Sequence, residues 1–402
     1  MILPPGAAPE ARLLLFGRAL RAFTDGYVAI LLPAYLLALG LGTWEVGLIS
    51  TATLLGSALM TLAVGHWGHR YAQRLLLLAA ALLMAATGLA LAGMASFWPL
   101  LLVAFVGTMN PSSGDVSVFL PLEHARLAET AHGDARTTLF ARYTFTGALC
   151  AAIGALATGI PDLLTAQGFA PLDALRAMFV LYGMTGIAIF LLYRRLPTPQ
   201  AHEQSAPPTP QSPLGPSRAI VIRLAALFSL DAFAGGLLVN TLLALWLFER
   251  FGLSLAAAGS FFFWAGLFTA ASQLAAPWVA KRIGLLNTMV FTHIPANIAL
   301  ICAALAPGLE WALGLLLLRS LLSQMDVPTR SAFVMAVVTP AERAAAASFT
   351  AVPRSLAAAA SPAIGGALFA AGWLAAPLIA CGALKIVYDL AIWRAFRRIR
   401  AN

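Results

Sequence analysis

Arg194–Arg218 reads RRLPTPQAHEQSAPPTPQSPLGPSR, the longest polar interruption of an otherwise apolar chain. Its Pro, Ser and Gln content suits neither a membrane span nor a packed element. A membrane helix needs about 20 apolar residues. On the N-terminal side of the interruption such stretches fall at 14–39, 46–65, 75–95, 98–122, 138–160 and 175–193. On the C-terminal side they fall at 219–247, 255–279, 285–306, 311–334, 345–371 and 374–393. The pattern predicts an all-α membrane protein of twelve transmembrane helices. The expected organisation is a six-helix half over 1–193, a Pro-rich linker over 194–218, and a second six-helix half with a basic tail over 219–402.

Composition agrees. The 402 residues are 60% hydrophobic and 10% charged, whereas soluble domains carry about a quarter charged residues. The formal charge of +9 is spread in short clusters between apolar segments, which argues against a nucleic-acid partner and for the positive-inside rule. With the N-terminus inside, the inner segments hold 15 Lys/Arg, among them Arg70, Arg74, Arg126, Arg136, Arg194, Arg195, Arg218, Lys281, Arg282 and Arg343, and the outer loops only Arg176 and Arg250. Both termini are therefore expected in the cytoplasm. Met1–Arg12 lacks the basic start, apolar core and cleavage site of a removable signal peptide. Cys150, Cys302 and Cys381 are widely separated, have no metal-ligand spacing and read as small core residues, with no disulfide and no metal. Abundant Ala, Leu, Gly and Arg beside only two Lys suggest a bacterium with a GC-rich genome, and hence its inner membrane.

The two halves resemble each other. Ala22-Phe23 before Gly26 matches Ala232-Phe233 before Gly235, and Gly40-Leu41 matches Gly252-Leu253. Asp115-Val116 matches Asp326-Val327, and Arg142 matches Arg354. All lie at offsets between 209 and 212, which points to a tandem repeat of pseudo-symmetric six-span halves.

Acids inside such spans need a reason, because a carboxylate at the bilayer centre costs roughly 2.5–3.5 kcal/mol on insertion scales. Asp25, Asp115, Asp231 and Asp326 each lie in a long apolar segment. Arg21 and Asp25 are four apart and share a helix face, either as a self-neutralised pair or as one that opens to let Asp25 take a proton. Asp231, with Arg223 two turns away, is the better candidate for a titrating carboxylate. The stretch Asn110-Pro111-Ser112-Ser113-Gly114-Asp115 places Pro and Gly inside a span. Such a break is tolerated where the backbone faces protein or a hydrated cavity; the patch reads either as a solute or proton site or as a kink.

In span ten, Arg319, Asp326 and Arg330 fall on one predicted face, and Arg330 is positioned to pair with Asp326. Lys385 and Asp389, four apart on the last span, are expected to pair with each other, and His293 beside Pro295 reads as structural. The chain carries no Gly-rich phosphate loop with Lys, no metal-spaced His cluster and no Gly-x-Ser-x-Gly elbow, so it is not read as an enzyme and no cofactor is expected.

The short loop after span two reads Gly65-His66-Trp67-Gly68-His69-Arg70-Tyr71-Ala72-Gln73-Arg74. It is similar to the G-x-x-x-D-R-x-G-R-R pattern that the major facilitator superfamily carries there, with His69 in place of the acid and Ala72 in place of the second Gly. Lys281-Arg282-Ile283-Gly284 after span eight is a matching copy. Together with the two six-span halves, the chain resembles that superfamily along essentially its whole length.

The resemblance implies that spans one, four, seven and ten line a central cavity and that the loop locks the cytoplasmic side, with Glu123 as partner of Arg70 or Arg74. It makes Asp25, Asp231 and Asp115 candidates for proton coupling. Arg21, Phe23, Tyr27, Asn110, Ser112, Ser113, Phe233 and Trp246 become cavity candidates. A cytoplasmic gate would involve Arg70, Arg74, Glu123, Arg142, Asp326, Arg330 and Arg354, with Arg142–Asp326 and Arg354–Asp115 as cross-domain pairs or with the two arginines snorkelling to headgroups. Ser361-Pro362-Ala363-Ile364-Gly365-Gly366 on span eleven is similar to a pattern of proton-driven exporters, although the small residues also suit close helix packing. The function implied is secondary transport by a monomer in a lipid bilayer, with protons and a small solute as partners. Proton-coupled efflux of an amphipathic or apolar compound leads; uptake of a polar metabolite and a non-transporting membrane sensor or assembly subunit are the alternatives.

Overall fold

The computed structural model describes residue 3 and residues 7–112, 117–131, 133–197, 215–339 and 342–397. Its elements are α-helices with short 3-10 turns. They are α1 Ala11–Ala38, α2 Thr43–Trp67, α3 Gln73–Gly93, α4 Phe97–Val106, α5 Phe119–Glu129, α6 Gly133–Leu156, α7 Ile160–Ala166 and α8 Pro171–Tyr193. After the linker come α9 Arg218–Gly236, α10 Asn240–Phe251, α11 Leu255–Ile283, α12 Leu285–Ala304, α13 Leu309–Leu322, α14 Asp326–Val337, α15 Arg343–Ala360, α16 Pro362–Ala370 and α17 Ala376–Phe396.

Among the described residues, nine helical segments are long and apolar enough to cross a membrane. They fall on nine of the predicted spans, and the other three, 98–122, 311–334 and 345–371, are each divided between two shorter helices. Local chemistry explains the breaks. Span four leaves the helix after Val106 and resumes at Phe119, and span ten breaks at 323–325. In both, the resumed helix carries a proline at its third residue, Pro121 and Pro328, where a missing N–H has no intrahelical acceptor to lose. Because span ten is interrupted, Arg319 does not continue the face of Asp326 and Arg330.

The chain divides into two compact units, residues 1–203 with 239–263, and residues 204–238 with 264–402. In the first, α1 packs on α6 and α8, α3 on α8, and α2 on α4. In the second, α9 packs on α15 and α17, and α12 on α17, α13 and α14. Span one with five and three with six thus find their counterparts in seven with eleven and nine with twelve. Close approach is built from glycine: a Cβ on Gly154 would lie 1.9 Å from the Phe23 carbonyl oxygen, and one on Gly236 would lie 2.3 Å from that of Ala358. The repeat extends to turn geometry. Gly40 and Gly252 both take positive φ, 81° and 60°, the region where a side chain is strained.

The segment Val239–Phe263, which the sequence repeat assigns to the second half, groups with the first unit. Span seven bends at Leu237–Val239, and α10 then packs along α1. Thr241 ties it there: its hydroxyl donates to the Ala29 carbonyl at 2.9 Å, and its N–H to that of Pro111 at 3.3 Å.

Of the cysteines, Cys381 is buried and Cys150 half-buried, but Cys302 is exposed on the helix surface, so it is not the core residue expected. Exposed Trp98, Trp311, Leu102 and Leu274 show the same outward apolar character, as a lipid-facing surface requires.

Candidate functional site

Each unit buries its own charged network. In the first, Arg21 on α1 is 1% exposed and Glu123 on α5 is 0% exposed. The guanidinium donates to Glu123 Oε2 at 2.8 Å and to the Ser117 hydroxyl at 2.9 Å, and lies over the Phe119 ring. The Tyr193 hydroxyl donates to Glu123 Oε1 at 2.6 Å, and the Tyr143 hydroxyl to Oε2. One carboxylate thus collects donors from α1, α6 and α8, which is how a buried charge is made tolerable.

That finding corrects the expected lock. Glu123 meets Arg21, Tyr143 and Tyr193 rather than Arg70 or Arg74. Arg70 is exposed at the end of the turn, and Arg74 donates to the Arg194 carbonyl at 2.5 Å, a basic cap on the C-terminal end of α8. The residue that gathers acids at that end is Arg126, which contacts Glu10 at 3.3 Å, Glu129 at 2.9 Å and the Pro197 carbonyl at 3.1 Å. In the sequence it stood only as one of the basic residues of the inner loops. Asp25, Tyr27, Asn110 and Trp246 are all buried in this unit. The Tyr27 hydroxyl donates to the Met178 carbonyl, and Asn110 Oδ1 accepts from the N–H and hydroxyl of Ser112 at 3.1 and 2.8 Å. Phe23 and Arg142 are half-buried. Asp115 and Ser113 lie outside the described residues.

In the second unit, Asp231 on α9 is held from two sides, by Lys385 of α17 at 2.6 Å and by Arg330 of α14 at 3.1 Å. Arg330 also binds Asp326 one turn back on its own helix, so the Arg330–Asp326 pair expected from spacing is present and extended to span seven. Lys385 does not take Asp389. That carboxylate instead receives His293 of α12, whose Nδ1 lies 3.0 Å from both Oδ1 and Oδ2. His293 and Asp389, 96 residues apart, could be matched only by folding. Phe233 is half-buried and Arg354 exposed.

Outside the spans, Glu342 closes the turn between α14 and α15. The Thr339 hydroxyl donates to it at 2.6 Å, the Ser217 N–H at 3.3 Å, and the Gly215 N–H also binds it. Hydrogen bonds from the Ser217 and Thr339 side chains, then from the Gly215 N–H, hold its carboxyl down at about 2. The first unit has a counterpart in which the Ala8 N–H donates to the Thr130 carbonyl at 2.8 Å. The segment entering the first span of each repeat is therefore tied to the turn leaving its fourth.

The sequence model described as Major Facilitator Superfamily matches residues 14–325. A Saccharomyces cerevisiae protein described as an uncharacterized membrane protein is 23% identical over 96% of this chain and 93% of its own length. Among solved structures, the nucleoside transporter NupG superimposes with a TM-score of 0.77 at 16% identity, covering 98% of this chain and all of its own. The D-xylose–proton symporter superimposes with a TM-score of 0.73 at 16% identity, over 95% of this chain and 97% of its own.

Proposed function

Because this chain belongs to the major facilitator superfamily, we propose that it moves a small solute across a membrane by alternating access, driven by the proton gradient. The observation that carries this reading is the pair of buried ion networks, Arg21–Glu123 on spans one and four and Lys385–Asp231–Arg330 on spans twelve, seven and ten. A fold needs neither. Buried pairs seldom stabilise relative to apolar packing, so charges retained in spans are charges in use. Asp25, Asp231 and Asp115 are the proton-coupling groups in this proposal, with Asp231 titrating when Lys385 and Arg330 let it go.

The solute is a small amphipathic or apolar compound and the direction is export. Phe23, Tyr27, Phe233 and Trp246 supply the apolar wall, and Arg21, Asn110, Ser112 and Ser113 the polar contacts. Uptake of a polar metabolite is the second reading, favoured by the Asn110–Ser112 turn in the break of span four. The gate at the cytoplasmic side draws on Arg70, Arg74, Glu123, Arg142, Asp326, Arg330 and Arg354. Charge placement supports both termini in the cytoplasm; composition supports a bacterial inner membrane, and the protein acts as a monomer.

Purified protein in liposomes loaded with a pH-sensitive dye tests this, with a panel of amphipathic compounds and polar metabolites. Solute-dependent proton movement against the solute supports antiport, and movement with it supports symport. A protein correctly inserted and silent towards the whole panel would favour the sensor or assembly role instead.

A further inference from the structure

We propose that His293 and Asp389 form a one-proton site, and that its occupancy decides whether Lys385 holds Asp231 or turns to Asp389. The proposal deepens the proton-coupled reading and rests on it for its physiological role.

The geometry puts one proton between the partners, carried as Nδ1–H in the charged and in the uncharged imidazole alike, so the second, exchangeable proton is the one on Nε2 or its equivalent. Nδ1 of His293 lies 3.0 Å from both carboxylate oxygens, and a nitrogen lone pair facing a bare carboxylate at that distance would be repelled. Both residues are buried, 3% and 0% exposed. The pair cycles between a neutral state, with imidazolium beside carboxylate or the equivalent acid–imidazole tautomer, and a state of net charge −1 after one proton leaves to water. Lys385 acts on both members of the dyad. It sits one turn from Asp389 on the same helix face, so it can reach either acid by a rotamer change. Lys385 is on Asp231 at 2.6 Å in the structure, the pairing assigned here to the neutral dyad. With the proton gone, Asp389 competes for it and Asp231 is left to Arg330.

Three further observations support a working site. The helix pair that corresponds to α12–α17 in the first unit is α3–α8, and it packs through Ala85, Gly88, Gly183 and Gly186, so the fold does not need an ionisable pair there. Among the described residues, Asn297 Oδ1 and Tyr388 Oη beside the dyad are buried without a hydrogen-bond partner, although buried polar atoms are normally satisfied. Depth is graded as well. At ~1.5 Å per residue, His293 and Asp389 lie roughly 10–12 Å from the ends of α12 and α17 at Leu285 and Phe396. Lys385 lies about 16 Å from that end, so the dyad stands between the Arg394 end and Asp231.

The groups acting on the dyad come from every helix around it: Asp231 on α9, Arg319 on α13, Arg330 on α14, and Lys385 and Tyr388 on α17. Asp326 on α14 acts through its pair with Arg330, and Arg354 on α15 through Asp231 and Arg330.

The chain has only Lys281 and Lys385 as lysines and six histidines, so isotope labelling gives spectra simple enough to read. The full chain labelled with 15N-lysine and 15N-histidine is placed in lipid nanodiscs and titrated from about pH 5 to 9, bracketing the ordinary histidine range. Lys281→Gln and His293→Gln assign the signals. The expected result is that the Lys385 Nζ signal moves with a one-proton midpoint shared by the His293 ring. Asp389→Asn should shift the ring midpoint by about one pH unit, tenfold in proton affinity, and His293→Gln should abolish the Lys385 movement.

A monodisperse wild-type protein whose His293 and Lys385 signals stay fixed across that range would overturn the proposal. If Asp389→Asn fails to insert, Asp389→Glu serves, and an unchanged midpoint there also counts against it. Dyad titration without solute-dependent proton movement in liposomes would keep the site and remove the transport role. Proton movement with a silent dyad would do the reverse.

Discussion

Lys385 bonds Asp231, 154 residues away, although Asp389 lies one turn from it on the same helix. The choice has an energetic consequence. Removing one member of a buried pair leaves an uncompensated charge and costs about 3–5 kcal/mol. Lys385→Gln is expected to lower the melting temperature of the purified protein sharply, and the double variant Asp231→Asn with Lys385→Gln to recover most of it. A double variant no better than the single would contradict the pairing.

Glu123 depends on three donors, and each can be removed separately. Tyr193→Phe leaves one carboxylate oxygen short of its bond and should cost about 1–3 kcal/mol. Arg21→Gln should cost more, because it strands the charge itself. Denaturation in a mild detergent would order the variants, with Arg74→Gln nearly neutral beside them since Arg74 caps α8 rather than binding Glu123.

Gly154 and Gly236 test the packing of the two repeats. A methyl at either position enters a carbonyl of the facing helix, and forced overpacking costs typically 1–3 kcal/mol. Gly154→Ala and Gly236→Ala should each lower thermal stability by that order, while Gly93→Ala, with open space around it, should not. Melting curves of the three variants decide it.

Glu342 sets a pH dependence. Its carboxyl is held at about 2, below its ordinary 4.5, so its contribution is fully present above about 4.5 and is lost as pH falls through about 2. The melting temperature of wild type should therefore fall across that window by more than that of Glu342→Gln. Parallel curves would show that the clasp on Gly215 and Ser217 contributes nothing.

The apolar helices were legible in the chain: nine of the stretches picked out by hydropathy are helical segments long enough to cross a membrane, and the matched glycines Gly40 and Gly252 both take positive φ. Hydropathy, loop charge and glycine at fixed offsets are properties of short stretches, and the bilayer acts on each stretch separately. The break of span four was visible in Pro111 and Gly114 for the same reason. The motif after span two also located a tight turn, now seen as a 3-10 turn over Gly68–Arg70.

Partnership was different. Spacing along one helix offered Lys385–Asp389 and a free-standing His293, and family resemblance offered Arg70 or Arg74 for Glu123. The folded chain instead pairs Lys385 with Asp231, His293 with Asp389 and Arg21 with Glu123. A local i,i+4 pair is worth only about 0.2–0.5 kcal/mol on an exposed helix, whereas a buried acid left without a donor costs several times that. Asp231, Asp389 and Glu123 therefore go to donors that the packing of distant helices brings to about 3 Å, while Asp326 keeps its local partner Arg330, and that packing is written in no single stretch of sequence.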